Sequence, residues 1–191
     1  MIRCALIPIV TLVSPVPPSS DRNVTIKEAF LAAALVSIAH SLNPVTISGM
    51  LYGINEIPKD ASQAGTNVGD PTGVTDMTLK IYKRKGQPVW LEYETWAFDM
   101  VDNASPTMTH VHKAPAEENG PLVLNLPCKY EYLTENKAWH CNGTLGKKPA
   151  ERTRTFVSVL KAISETPWMF YGNVHTANYP DGAVRDQLQE V

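Results

Sequence analysis

Charged residues are few in this chain, and neither sign of charge dominates. Asp, Glu, Lys and Arg together make up 19% of the 191 residues, and the formal net charge is −2. This balance provides no basic field that could hold a phosphate backbone, so we expect no nucleic-acid partner. The hydrophobic share of 43% is ordinary for a globular protein. We expect one folded domain with extra terminal sequence, because single domains typically hold about 100–150 residues.

Long apolar runs and familiar catalytic motifs are also missing. Neither a Gly-x-Ser-x-Gly nucleophile elbow nor a phosphate-cradling glycine loop occurs, and no internal repeat is evident. The apolar run at residues 29–39 holds about eleven residues, whereas a helix that spans a bilayer needs about twenty. Its length, its small-residue ending and the preceding Lys27 are typical of a secretory signal; a buried helix is the alternative. The sequence therefore predicts an extension and signal at residues 1–41 and a secreted mature chain without a transmembrane span.

Cysteine is scarce, and its distribution agrees with export. Cys4 lies in the segment predicted to be removed, which leaves Cys128 and Cys141 in the mature chain. These two are thirteen positions apart and can form a disulfide if both lie at strand ends; two free buried thiols are the alternative. Asn103 and Asn142 each begin a glycosylation sequon in a turn-like setting.

Short runs rich in Val, Thr and aromatic residues alternate with turn residues beyond position 44, as in β-strands. The predicted strands are residues 47–53, 74–82, 89–98, 107–113, 122–126, 168–176 and 183–188. Helical periodicity occurs only at residues 155–165 and ends before Pro167. We expect an all-β fold, an antiparallel Greek-key sandwich of immunoglobulin-like or superoxide-dismutase-like type with one short helix.

Three of the five histidines fall in two strand-like segments. Because side chains alternate faces along a strand, His110 and His112 point to the same face, and His175 follows on a later strand. Three neutral imidazoles form a suitable donor set for Zn²⁺ or Cu²⁺, with a fourth position left for water or a carboxylate.

The blocks around these histidines resemble those of the CHRD domain, the module found in chordin and in many secreted microbial proteins. The similar segments are ISG at residues 47–49, GINEIP at 53–58, THVHKAP at 109–115, NGPLV at 119–123 and YGNVHTANYPDGAVR at 171–185. The resemblance covers residues 44–191, which we take as the domain. It implies an extracellular module but no settled activity.

Three interpretations of the histidines remain open. They could bind Cu or Zn; they could form a structural cluster with Glu56 and Arg185, hydrogen-bonded to the carboxylate or to backbone carbonyls; or His112 or His175 could act with Glu56 as acid and base. The leading hypothesis is a non-catalytic extracellular binding or structural module, with an enzyme acting on a small molecule as the alternative. An extracellular protein or a small molecule is the expected partner.

Overall fold

The computed structural model describes residues 43–59, residue 62 and residues 67–191. The predicted extension and secretory signal at residues 1–41 lie outside the described residues. In the described part, the strands are β1 (Val45–Tyr52), β2 (Val74–Arg84), β3 (Gln87–Phe98), β4 (Pro106–Lys113), β5 (Leu122–Asn125), β6 (Glu131–Leu133), β7 (Ala138–Leu145), β8 (Phe170–Thr176), β9 (Val184–Gln187) and β10 (Gln189–Glu190). The single α-helix of this part, α1, covers Arg154–Glu165, and short 3₁₀ turns lie at Gly53–Asn55, Val101–Asn103, Pro149–Glu151 and Pro167–Met169.

These strands form one antiparallel sheet that curls around its own core. Its order is β5-β4-β8-β9-β1-β2-β3-β7-β6, and β10 pairs with β1. The two outer regions of the sheet approach each other. The Tyr130 hydroxyl shows this, since it lies 3.0 Å from the Thr95 hydroxyl of β3 and 2.6 Å from the Thr109 hydroxyl of β4. The predicted fold class, antiparallel all-β and sandwich-like with one short helix, is confirmed.

The core contains alternate residues from nearly every long strand. Along β2, for example, Met77, Leu79 and Ile81 are fully buried, whereas the residues between them are half-buried or exposed. Val111 of β4 and Val174 of β8 belong to the same apolar cluster. This period-two burial is the signature of a sheet with one packed face.

The helix α1 closes part of this core, as its periodicity predicts. Thr153 caps it by accepting a hydrogen bond from the Phe156 amide at 3.1 Å. Leu160 and Ile163 are fully buried, and Pro167 stands just after the helix ends. No helix in the described part of the chain is long and apolar enough to cross a membrane.

Three strands, β6, β7 and the two-residue β10, were not expected from the sequence. A polar turn joins β6 to β7, and β7 includes the Asn142-Gly143-Thr144 triplet, so this part of the sequence shows little apolar alternation. Strand β7 nevertheless pairs along its whole length with β3. Tertiary pairing has overridden weak local propensity here.

Candidate functional site

The face of the sheet opposite the core carries the predicted site residues. On this face His110 of β4 lies directly opposite Asn173 of β8, which in turn lies opposite Arg185 of β9. Two residues further along β4, on the same face, His112 is opposite Tyr171. Directly opposed residues of antiparallel strands have Cβ atoms about 4.5–5.5 Å apart, so these side chains form two adjoining polar rows.

The structure brings the three histidine rings together. The ring centroids of His110 and His175 are 5.1 Å apart, and those of His110 and His112 are 5.8 Å apart. One ring nitrogen of each histidine lies within 4.8 Å of the others. His175 is buried, and His110 and His112 are half-buried.

Backbone carbonyls determine the tautomers of two of these rings. Nδ1 of His112 lies 3.0 Å from the Gly120 carbonyl oxygen, and Nδ1 of His175 lies 2.9 Å from the Pro180 carbonyl oxygen. Because a carbonyl only accepts hydrogen bonds, Nδ1 carries the proton in both rings, and in the neutral ring Nε2 presents a lone pair. Both Nε2 atoms are buried and have no hydrogen-bond partner in the described part of the protein.

Burial keeps all three imidazoles neutral at ordinary pH. It lowers the pKa of His110 from 6.5 to about 4, and the neighbouring His175 and His112 add to this effect. The pKa values of His112 and His175 are also lowered, chiefly by burial, although the hydrogen bonds to the carbonyl oxygens oppose the change. Neutral imidazole is the form that binds a metal ion.

The loops that supply these carbonyls are held close to the strands by glycines. A Cβ atom at Gly120 would stand 2.0 Å from the Lys113 carbonyl oxygen, so only glycine allows this approach to β4. Gly182 has φ +146°, and a Cβ atom there would stand 2.5 Å from Oε2 of Glu56. The positions of the carbonyl groups beside His112 and His175 therefore depend on tightly packed backbone.

Glu56 hydrogen-bonds to Asn173 rather than to a histidine. Its Oε1 accepts a hydrogen bond from Nδ2 of Asn173 at 2.8 Å. Burial raises the pKa of Glu56 to about 7, although Arg185 and the Asn173 hydrogen bond favour the carboxylate. No contact between Glu56 and an imidazole nitrogen occurs among the described residues.

Arg185 joins the cluster through an aromatic ring. Its guanidinium carbon lies 3.6 Å from the centroid of the Tyr171 ring, which stacks on His112 at 4.9 Å. It donates hydrogen bonds to Oδ1 of Asn119 at 2.9 Å and to the Glu118 carbonyl oxygen at 3.1 Å. Arg185 is thus a buried, satisfied cation that secures the loop after β4.

The other predicted residues lie away from this face. Cys128 and Cys141 form a disulfide with their Cα atoms 5.7 Å apart, and Cys141 lies within β7 rather than at its end. Asn103 and Asn142 are both exposed.

Sequence reasoning missed the residues that complete the cluster. Tyr171 and Asn173 precede His175 at intervals of two along β8, so strand alternation places all three on one face. That signal was available in the sequence. The carbonyl contacts of Gly120 and Pro180 had no such signal, because they depend on the paths of two loops.

The fold and this cluster define a class of protein, a curled antiparallel β-domain that displays three converging histidines on its polar face. Comparison with protein-family models identifies the family: the CHRD domain model matches residues 48–188. The chain belongs to the CHRD domain family, whose domain is typically extracellular. No curated protein and no solved structure matches the chain.

Proposed function

We propose that this protein is a secreted, non-catalytic extracellular module that binds Zn²⁺ or Cu²⁺ through His110, His112 and His175. One observation carries the proposal. The Nε2 atoms of His112 and His175 are buried lone-pair donors without a partner in the described residues, while their Nδ1 atoms are engaged. A buried acceptor without a partner costs about 1–3 kcal/mol, and a bound cation would remove that cost.

The surroundings of the rings support metal binding in a second way. Metal-binding histidines commonly donate the other ring N–H to a backbone carbonyl, which orients the ring and raises its basicity. His112 and His175 both have this arrangement. His110 packs against the His112 and His175 rings and makes no hydrogen bond to a described residue, so no hydrogen bond would have to break for it to bind an ion.

The spacing of the nitrogens sets what metal binding would require. Zn–N bonds of about 2.0–2.1 Å in a tetrahedral site place the nitrogens about 3.3 Å apart. The ring nitrogens are now separated by up to 4.8 Å, so each would move inward by about 1 Å as the ion enters. Three histidines leave the fourth position open, as zinc sites that bind water do.

The acid–base alternative has less support from the geometry. A general base needs a carboxylate or imidazole within hydrogen-bonding reach of its partner. The contact made by Glu56 is with the Asn173 amide, and the two histidines that could act with it are oriented by carbonyl groups. The raised pKa of Glu56 follows from burial and needs no catalytic explanation.

Export and modification form part of the same proposal. Membership of a family with a typically extracellular domain supports secretion, as does the pairing of Cys128 with Cys141. Asn103 and Asn142 are exposed sequon residues and are the proposed glycan acceptors. An extracellular protein or a small molecule remains the proposed partner.

Elemental analysis tests the metal site. Tag-free protein is stripped with a chelator, incubated with Zn²⁺ or Cu²⁺, passed through a desalting column and analysed for metal per chain. We expect about one equivalent in the wild type and a large loss in His110→Ala and His175→Ala. His140→Ala is the matched control, because His140 contacts Glu94 and packs against the Trp96 ring on β3, away from the cluster.

Equal metal content in the wild type and both cluster variants would refute the proposed site. Failure of the wild type to retain either ion, with normal folding, would favour a purely structural cluster. Far-UV circular dichroism of each variant checks folding independently of metal content.

A further inference from the structure

A third unpartnered acceptor shares the face of the histidines. Among the described residues, four buried side-chain N or O atoms lack a hydrogen-bond partner: Oγ1 of Thr75, Oδ1 of Asn173, and Nε2 of His112 and of His175. Thr75 is fully buried within β2. The other three belong to the polar face of β4 and β8.

Asn173 is held in place from one side only. It is 5% exposed, and Nδ2 donates to Glu56 at 2.8 Å. The amide oxygen, Oδ1, has no hydrogen-bond partner among the described residues. Because Asn173 lies directly opposite His110 and two residues before His175, Oδ1 belongs to the same group of acceptors as the imidazole lone pairs.

These three acceptors carry no proton of their own, and the single ring N–H of the neutral His110 makes no hydrogen bond to any of them. A metal ion would satisfy the imidazoles but would leave the amide oxygen without a donor. A water molecule on the metal's fourth position carries protons and can donate one to Oδ1. A small anion without a proton would instead face the amide oxygen as a second acceptor.

We propose that Asn173 is a positioning residue whose amide oxygen selects a proton-bearing ligand, such as water, over a small anion at the open position of the metal. This inference rests on the proposed metal function. Glu56 contributes indirectly, because its carboxylate holds Nδ2 and so orients Oδ1.

Cobalt provides a spectroscopic test. The chelator-stripped full chain is loaded with Co²⁺, its visible absorption is recorded, and sodium azide is titrated in as the anionic probe. Asn173→Val removes the acceptor while retaining a residue suited to a buried strand. We expect azide to bind Asn173→Val about 2- to 10-fold more tightly than the wild type, as expected for the loss of one hydrogen-bond acceptor.

Two further variants define the effect. Asn173→Asp retains an acceptor and adds negative charge, so azide should bind it more weakly than the wild type; this variant carries the test if Asn173→Val does not fold. Asn125→Val is the matched control, because Asn125 flanks His110 from β5 but is exposed. Its azide affinity should equal that of the wild type.

The outcomes separate the two proposals. If the wild type binds no Co²⁺, the metal function itself fails. If the wild type and Asn173→Val bind Co²⁺ equally well and have the same azide affinity, the role of Asn173 is wrong while the metal site stands. If folded Asn173→Val no longer binds Co²⁺, Asn173 acts as a ligand, and the positioning role is likewise overturned.

Discussion

Replacing His110 with alanine should change the stability of the metal-loaded protein far more than that of the metal-free protein. The His110 ring is half-buried and makes no hydrogen bond to a described residue. Its removal therefore costs only packing, and we expect a loss of about 1 kcal/mol or less in the free energy of unfolding without metal.

The loaded protein should behave differently. A ligand at one hundred times its dissociation constant stabilises the native state by about 2.7 kcal/mol. For a domain of this size, that stabilisation raises the melting temperature by roughly 5–10 °C. His110→Ala should lose most of this rise, because two imidazoles bind Zn²⁺ much more weakly than three.

The assay is thermal unfolding followed by circular dichroism at pH 7.5, in chelator and then in Zn²⁺. His140→Ala serves again as the control and should retain the full Zn²⁺-dependent rise. The reasoning would be refuted if His110→Ala lowered the melting temperature equally with and without Zn²⁺. That result would identify His110 as a structural residue.

Three further predictions concern the supports of the site. Burial raises the pKa of Glu56 from 4.5 to about 7, so the folded state favours the neutral carboxyl group. The resulting stabilisation is complete below pH 4.5 and is lost as the pH rises through 7. The stability of the wild type relative to Glu56→Gln should fall by about 3 kcal/mol across that window, as measured by urea unfolding at a series of pH values. Gly182→Ala should cost about 1–3 kcal/mol, because φ +146° and the close contact with Glu56 both disfavour a Cβ atom; thermal unfolding measures this. Replacing Cys128 and Cys141 together by serine should cost about 3 kcal/mol for a loop of this length, as measured by chemical unfolding.

Each of these predictions has an outcome that would contradict it. A difference between Glu56→Gln and the wild type that does not vary with pH would show that the carboxyl group is not buried as described; the histidines titrate in both proteins and cancel. A Gly182→Ala variant as stable as the wild type would mean that the loop can move away from Glu56. A reducing agent that leaves the wild-type melting temperature unchanged would contradict a stabilising role for the disulfide.

Much of the fold could be predicted from local composition. The runs that became β2, β3, β4 and β8 were identified because they are short, rich in Val, Thr and aromatic residues, and separated by turn residues. The helix was identified because Leu160 and Ile163 follow the helical period and Pro167 ends it. Strands β6 and β7 were missed because their stability comes from pairing with neighbours rather than from their own composition.

In the candidate site, too, some features follow from the local sequence and others only from tertiary pairing. By itself, the order of amino acids determined that His110 and His112 share a face and that His175 shares one with Asn173, because strand geometry requires side chains to alternate. Only the tertiary structure decided that β8 pairs with β4 so that these two faces become one. It also decided that the Gly120 and Pro180 carbonyls reach Nδ1 and that Glu56 binds an amide rather than an imidazole. Strand register and loop paths follow from packing of the whole apolar core, and no local pattern in the chain encodes them.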